Sequence, residues 1–254
     1  MFTNAIVRTP GRSIVEGLSN SKTLGLPNYK QAIIQHQSYI DALTKCGLDV
    51  HVLEPCEEYP DSTFVEDVAL ITPNCAIITR PGAPSRRGEV YEIEFVLKQR
   101  FNNIEVIEAP GTIEGGDIMM VGDHYFIGLS ERTNLEGARQ IIQILKKYDM
   151  SGSTISLKKV LHLKTGLSYL EKNNLVVCGE FINDSCFEKY NPIEIPENES
   201  YAANCIWVNE SVIIPLGYPT AKQRIMNAGY TVIETDVSEF QKLDGGLSCL
   251  SLRY

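Results

Sequence analysis

A cysteine beside a double-glycine turn, a histidine closing an apolar run and several loop carboxylates are the residues of this chain whose types could do covalent chemistry. The cysteine is Cys249, in Leu243-Asp244-Gly245-Gly246-Leu247-Ser248-Cys249-Leu250-Ser251. Two glycines permit a tight turn, from which a thiol can reach a cleft. Most free cysteines are small buried hydrophobes, and Cys75, Cys178 and Cys205, each adjoining an apolar run, read that way. A nucleophile needs a base and a grip on its substrate elsewhere. His162, in Val160-Leu161-His162-Leu163-Lys164-Thr165-Gly166, is the best candidate base, because His36 falls mid-helix, His51 in a strand and His124 at a hairpin turn. Asp61, Glu66 and Asp67 cluster in a loop that would otherwise be a solvated turn. Glu114 lies in Gly111-Thr112-Ile113-Glu114-Gly115-Gly116-Asp117, where glycines let backbone approach a ligand while the carboxylate points inward; a bulge with a surface glutamate is the equal alternative. Arg86, Arg87 and Arg132 follow hairpins; exposed arginines usually face water, but they also grip carboxylates through two bonds at once. A thiol, an imidazole and several carboxylates suit a ligand with a planar cationic head and an anionic tail, and a guanidinium is the obvious head.

The elements that must position these residues repeat. A strand at Ala5–Val7 precedes a loop from Ser13 to Pro27 that is long enough to act as a lid. Asn28, with Gln31 as capping-box partner, starts a helix whose stripe is Ile33, Ile40 and Leu43 and which Gly47 stops. A strand at Val50–Leu53 follows. Hairpins are expected at Val68–Ile78, Asp117–Gly128, Leu167–Cys178 and Ala203–Ile214. Helices follow three of them: Gly88 to Phe101, a second opening on a Thr133–Glu136 capping box and burying Leu135, Ala138, Ile141, Ile142 and Leu145, and Thr220 to Ala228. Strands are expected at Ile104–Ile107 and Thr231–Glu234. The repeat, of about 35–50 residues, suggests units set around an axis within one domain, residues 1–254.

Composition narrows the partners. A net charge of −9 repels phosphate backbones and anionic membranes, so nucleic acid is excluded as the expected partner. Seven cysteines, an odd number without a close pair, argue against a disulfide framework and for a reducing cytoplasm. No apolar run approaches the roughly 20 residues of a membrane span. One histidine and one cysteine in separate motifs do not make a zinc ligand set, and no cofactor is called for. The oligomeric state stays open, with a homodimer as the alternative to a monomer.

With these clusters in order along the chain, the sequence resembles the guanidino-group-modifying, or pentein, superfamily, and within it the bacterial-type dimethylarginine dimethylaminohydrolases. The likeness runs from Arg8-Thr9-Pro10 through Ser200-Tyr201-Ala202-Ala203-Asn204 to the C-terminus. It implies a five-bladed α/β propeller. It also implies that Cys249 attacks the guanidinium carbon of an Nω-methylated arginine. His162 would protonate the departing amine and then activate water, giving citrulline through an S-alkylthiouronium intermediate. Glu114 and Asp67 would hold the guanidinium, with Glu66 and Asp61 nearby, Arg86 and Arg132 would bind the α-carboxylate, and the backbone at Leu18 and Leu243 would close over the substrate. Deiminases of the superfamily are expected to carry His-x-Asp; here that position is Lys164, and one carboxylate fewer should leave room for methyl groups. The alternatives are arginine deiminase, an amidinotransferase and a catalytically dead binding propeller.

Overall fold

The computed structural model describes residues 1–20 and 23–254. Its elements, in chain order, are β1 (Asn4–Arg8), α1 (Tyr29–Lys45), β2 (Asp49–Leu53), β3 (Ala69–Ile71), β4 (Ala76–Ile78), α2 (Val90–Lys98), β5 (Ile104–Val106), β6 (Ile118–Val121), β7 (His124–Leu129), α3 (Leu135–Lys147), β8 (Ser151–Ser156), β9 (Leu167–Tyr169), β10 (Asn174–Val177), β11 (Asn191–Glu194), β12 (Ile206–Val208), β13 (Ser211–Pro215), α4 (Pro219–Asn227), β14 (Thr231–Thr235), α5 (Ser238–Gln241) and β15 (Leu252–Arg253). They form five three-stranded sheets: β15-β1-β2, β3-β4-β5, β6-β7-β8, β9-β10-β11 and β12-β13-β14. Every sheet has the same design, one antiparallel pair and one parallel pair sharing a middle strand. In the second, Leu70 faces Ile77 across the antiparallel pair and Ile77 faces Glu105 across the parallel one.

Middle strands read as continuous apolar runs because both of their faces are covered, as at Ala76–Ile78 and Val212–Pro215. One edge strand from each sheet (β15, β3, β6, β9 and β12) contributes to the wall of a single central cavity. This is the five-bladed propeller. The C-terminal β15 completes the sheet that β1 began, with Ile6 paired to Leu252, which places the Cys249 turn beside the N-terminal strand. No helix among the described residues is long and apolar enough to cross a membrane.

Several local expectations need correction. The inward face of α1 is Ala32, Gln35, His36, Tyr39, Ala42 and Leu43; Ile33 and Ile40 are only partly buried. Asn28 does cap that helix, accepting from Gln31 N–H, but its own N–H donates to Glu239 rather than closing a box. The third helix starts on Asn134, whose side chain accepts from Gly137 N–H; Thr133 is left free to bind Glu114, and Leu135 is half exposed. In the fourth blade, where no helix is expected, β10 connects to β11 by two single turns, Gly179–Phe181 and Ser185–Phe187. Of the expected lid, Ser21 and Lys22 lie outside the described residues.

Burying His36 has a pH consequence. Desolvation lowers its pKa from 6.5 to about 4, and Nε2 has no hydrogen-bond partner among the described residues. The unfolded chain therefore binds the extra proton below about pH 6.5, and the stability this group contributes is lost as pH falls from there through about 4. The full loss is about 3 kcal/mol. Urea melts of the wild type and His36→Gln across that window should converge by this amount toward acid; a pH-independent gap would contradict the assignment.

Candidate active site

The turns that join the edge strands at one end of the channel carry most of the candidate residues. Leu18, Asp61, Asp67, Arg86, Glu114, Arg132, His162, Leu243 and Cys249 together wall a cavity at that end. Residues scattered over more than 230 positions of sequence converge there because each blade delivers its loops to the same axis. The cavity is only about 40 Å³, and the N-terminal loop helps to close it: Leu18 N–H donates to Asp61 Oδ1 (3.0 Å) and Asn20 N–H to Asp244 Oδ2 (2.5 Å).

His162 Nε2 lies 2.9 Å from Glu114 Oε2, and Glu114 has no exposed surface. Burial by itself would lower the imidazole's pKa, but the Glu114 hydrogen bond and the charges of Asp117 and Asp67 raise it to about 9. His162 is thus a cation at neutral pH, held beside anions. Glu114 is oriented by Thr133, whose hydroxyl accepts from its N–H (3.2 Å), and is approached by Arg132 Nη1 (3.4 Å). Asp117 holds the same loop, accepting from Leu163 N–H at 3.0 Å.

Asp67 accepts from Arg86 Nη1 (2.7 Å) and Gly116 N–H (2.9 Å). Burial opposes its ionisation, yet Arg86 and His162 bring its pKa down to about 2. The backbone comes this close because a Cβ at Gly115 would collide with the Glu66 carbonyl.

Cys249 is the opposite case. Burial, Asp67 and Glu66 push its thiol up to about 12, with only Gly246 N–H and Lys164 acting the other way. Neither glycine of the pair tolerates a Cβ, which would strike the Phe64 ring at Gly245 and Asn204 at Gly246, while the left-handed backbone (φ 60°) falls on Asp244 before them.

Some assignments shift. Arg86 reaches the cavity, but its fork is spent mainly on protein: Nε and Nη2 bind Glu89 (3.1 and 2.9 Å), Nη2 also binds Phe64 O, and Nη1 binds Asp67. Among the described residues one Nη1 hydrogen is left for a ligand. Glu66 is not a wall of the catalytic cavity. Its carboxylate binds Lys164 Nζ (2.5 Å) and Ser248 Oγ (2.8 Å), and it lines the channel on the far side. Lys164 points there too, so its ammonium leaves the substrate side altogether. Asp67, Glu114 and His162 bring potential metal-binding atoms within 4.8 Å of one another, but the carboxylates are already committed to Arg86 and His162.

Asn204, Ser248 and Glu89 were not singled out as site residues from the sequence. Asn204 Nδ2 donates to Lys164 O (3.0 Å) and Ser248 Oγ (3.1 Å), and its Oδ1 accepts from Ser248 N–H (2.9 Å). It thereby ties the His162 loop to the Cys249 loop. Asn204→Ala should lower kcat by about 10²-fold with little change in KM, the effect of misplacing two otherwise intact groups; steady-state kinetics showing an unchanged kcat would contradict this.

The whole chain has relatives of known identity. A model of the family described as N,N dimethylarginine dimethylhydrolase, eukaryotic, matches residues 22–251. A dimethylarginine dimethylaminohydrolase of Pseudomonas aeruginosa is 60% identical over 100% of both chains. This chain belongs to the dimethylarginine dimethylaminohydrolase family. A Streptomyces coelicolor dimethylarginine dimethylaminohydrolase is 31% identical, covering 98% of this chain and 96% of its own. The fold agrees: the Pseudomonas aeruginosa structure of a C249S mutant complexed with citrulline superposes with a TM-score of 0.99 over 100% of both chains at 58% identity. The N-terminal domain of a cyanobacterial arginine dihydrolase shares the propeller at 21% identity, with a TM-score of 0.90 over 100% of this chain and 97% of its own.

Proposed function

We propose that this dimethylarginine dimethylaminohydrolase works through Cys249, His162, Glu114 and Asp67, and that the observation carrying the assignment is the buried Glu114–His162 pair opening on the same cavity as the thiol. The enzyme hydrolyses Nω-methylated arginine to citrulline and dimethylamine or methylamine. A substrate guanidinium entering beside Asp67 and Glu114 brings the positive charge that the unliganded thiol lacks, so the pKa of Cys249 falls from about 12 and the thiolate forms against its substrate, its proton leaving to solvent because His162 is already protonated. Sγ bonds to the guanidinium carbon, and the proton on His162 passes to the methylated nitrogen as its bond to carbon breaks. This leaves an S-alkylthiouronium and a neutral imidazole. His162 then takes one proton from water as the oxygen adds to the same carbon, the C–S bond breaks to return the thiolate, and the proton left on the new oxygen passes to solvent or the departed amine as citrulline is released. The thiolate and imidazolium are restored.

Arg132, the more accessible of the two arginines, carries most of the α-carboxylate grip in this proposal, with Arg86 contributing its remaining Nη1 hydrogen. Arg132→Ala should raise KM about tenfold or more with a smaller effect on kcat. Arg86→Ala instead strands the buried Asp67 and Glu89 carboxylates and should destabilise the fold by about 3–5 kcal/mol. Thermal melts and initial rates of the two variants separate these outcomes; equal stability would contradict the division. A reducing cytoplasm as the setting belongs to the same proposal, since Cys249 must stay a thiol, as does a homodimer, which light scattering would test.

Proton NMR of the amine released from asymmetric dimethylarginine tests the reaction. Dimethylamine, one per citrulline, is expected; ammonia as the nitrogen product would move the chain to the deiminases.

A further inference from the structure

Asp117 meets the active site only from behind. It has no exposed surface and is no part of the cavity wall, so it touches no substrate. Its oxygens are divided between two other loops. Oδ1 accepts from Leu163 N–H (3.0 Å), next to His162, and Oδ2 from the Ser130 hydroxyl (2.6 Å). That hydroxyl accepts in turn from the N–H groups of Arg132 (3.0 Å) and Thr133 (3.1 Å), and Thr133 Oγ1 accepts from Glu114 N–H (3.2 Å). The Asp117 N–H closes the circuit on Glu114 O at 3.0 Å. One carboxylate thus joins the loops that carry Glu114, Arg132 and His162. The join is close: a Cβ on Gly116 would stand 3.0 Å from the His162 ring, and one on Gly128 3.2 Å from Asp117 Oδ1.

Charge acts alongside this geometry. The anions about the His162 ring are Glu114 and Asp117 from one loop and Asp67 from another, with Asp61 further along the cavity wall. The cations Arg86 and Arg132 and the neutral Cys249 thiol share that wall, while Lys164, on the histidine's own loop, turns away to Glu66. Of the charges that raise His162 through space, Asp117 contributes most, ahead of Asp67 and Glu114. Burial raises Asp117 itself, opposed first by His162 and then by the Ser130 hydroxyl. A substrate guanidinium would offset Asp67 and Glu114 as it binds them, and so loosen their hold on the imidazole proton. It cannot reach Asp117. We propose that Asp117 is a positioning residue for the proton transfer: it sets His162, Glu114 and Arg132 against one another, and it stays an unshared anion behind the imidazolium while substrate occupies the cavity. This rests on His162 as the acid proposed above.

NMR titration of ring-labelled histidine is the direct test, since the sequence has four histidines and His162→Gly identifies the resonance of interest. The His162 midpoint, about 9 in the wild type, should fall by at least about one pH unit in Asp117→Asn. The alkaline limb of kcat on asymmetric dimethylarginine should fall with it. Ser130→Ala removes a hydroxyl and keeps the charge. It should leave the midpoint near 9 and raise KM about two- to tenfold, as the Arg132 loop loses its support. An unchanged midpoint in Asp117→Asn would overturn the proposal. So would an unchanged KM in Ser130→Ala, a result that does not depend on the Asp117 variant folding. A midpoint that moves while the alkaline limb stays in place would support the role of Asp117 and count instead against His162 as the acid.

Discussion

Replacing Cys249 by serine is expected to reduce citrulline formation by at least about 10³-fold while leaving substrate binding intact. Burial, with the nearby charges of Asp67 and Glu66, pushes the free thiol up to about 12, so the enzyme at rest holds a poor nucleophile. What changes on binding is charge. A guanidinium between Asp67, Glu114 and Sγ replaces water with a cation, and a thiol responds to that by ionising, whereas a serine hydroxyl does not ionise under the same field. The cavity walls proposed to recognise substrate — Asp67, Glu114 and Arg132 — are untouched by the change. Initial citrulline rates together with calorimetric binding of asymmetric dimethylarginine check both halves. Turnover near the wild-type rate would remove Cys249 from the chemistry.

His162→Gly should have the second largest effect, a fall of about 10²–10⁴ in turnover, with a signature of its own. Without the imidazolium, loss of the amine is slowed; without the imidazole that follows, water is not activated and the thiouronium persists. Intact-protein mass spectrometry after acid quench should then find Cys249 carrying citrulline less one water, a species that the wild type clears. The raised pKa of about 9 adds a pH dependence: the proton needed by the leaving amine is present below it, so the wild-type rate should fall as pH rises through about 9. An alkaline limb near the ordinary histidine value, or rapid turnover by the glycine variant, would contradict the role of His162.

The repeat was legible in the sequence because four of the five middle strands sit in hairpins of aliphatic residues bounded by turn residues, and that pattern alone suggested an axis. Its fifth member was not, since it closes through β15, two residues at the far end of the chain that carry no periodicity of their own. β8, Ser-Gly-Ser-Thr-Ile-Ser, escaped for a related reason: it is an edge strand with one buried side chain, so hydrophobic alternation had nothing to act on. At the site, the types and loops of Cys249, His162, Glu114 and Asp67 could be read, because glycines and charges interrupt apolar runs there. Direction could not. Glu66 and Asp67 are neighbours in sequence, yet one faces each end of the channel, and Lys164 follows Glu66 away from the substrate. Nor could Asn204 be assigned a task, because its three bonds join loops that are 40 and 44 residues away.

The central claim is that this cavity turns a methylated guanidinium into citrulline, and a colorimetric citrulline assay with asymmetric dimethylarginine and free arginine side by side tests it most directly. Citrulline from the methylated substrate, with little or none from arginine, is the predicted result. Citrulline mainly from arginine, or from neither, would contradict it.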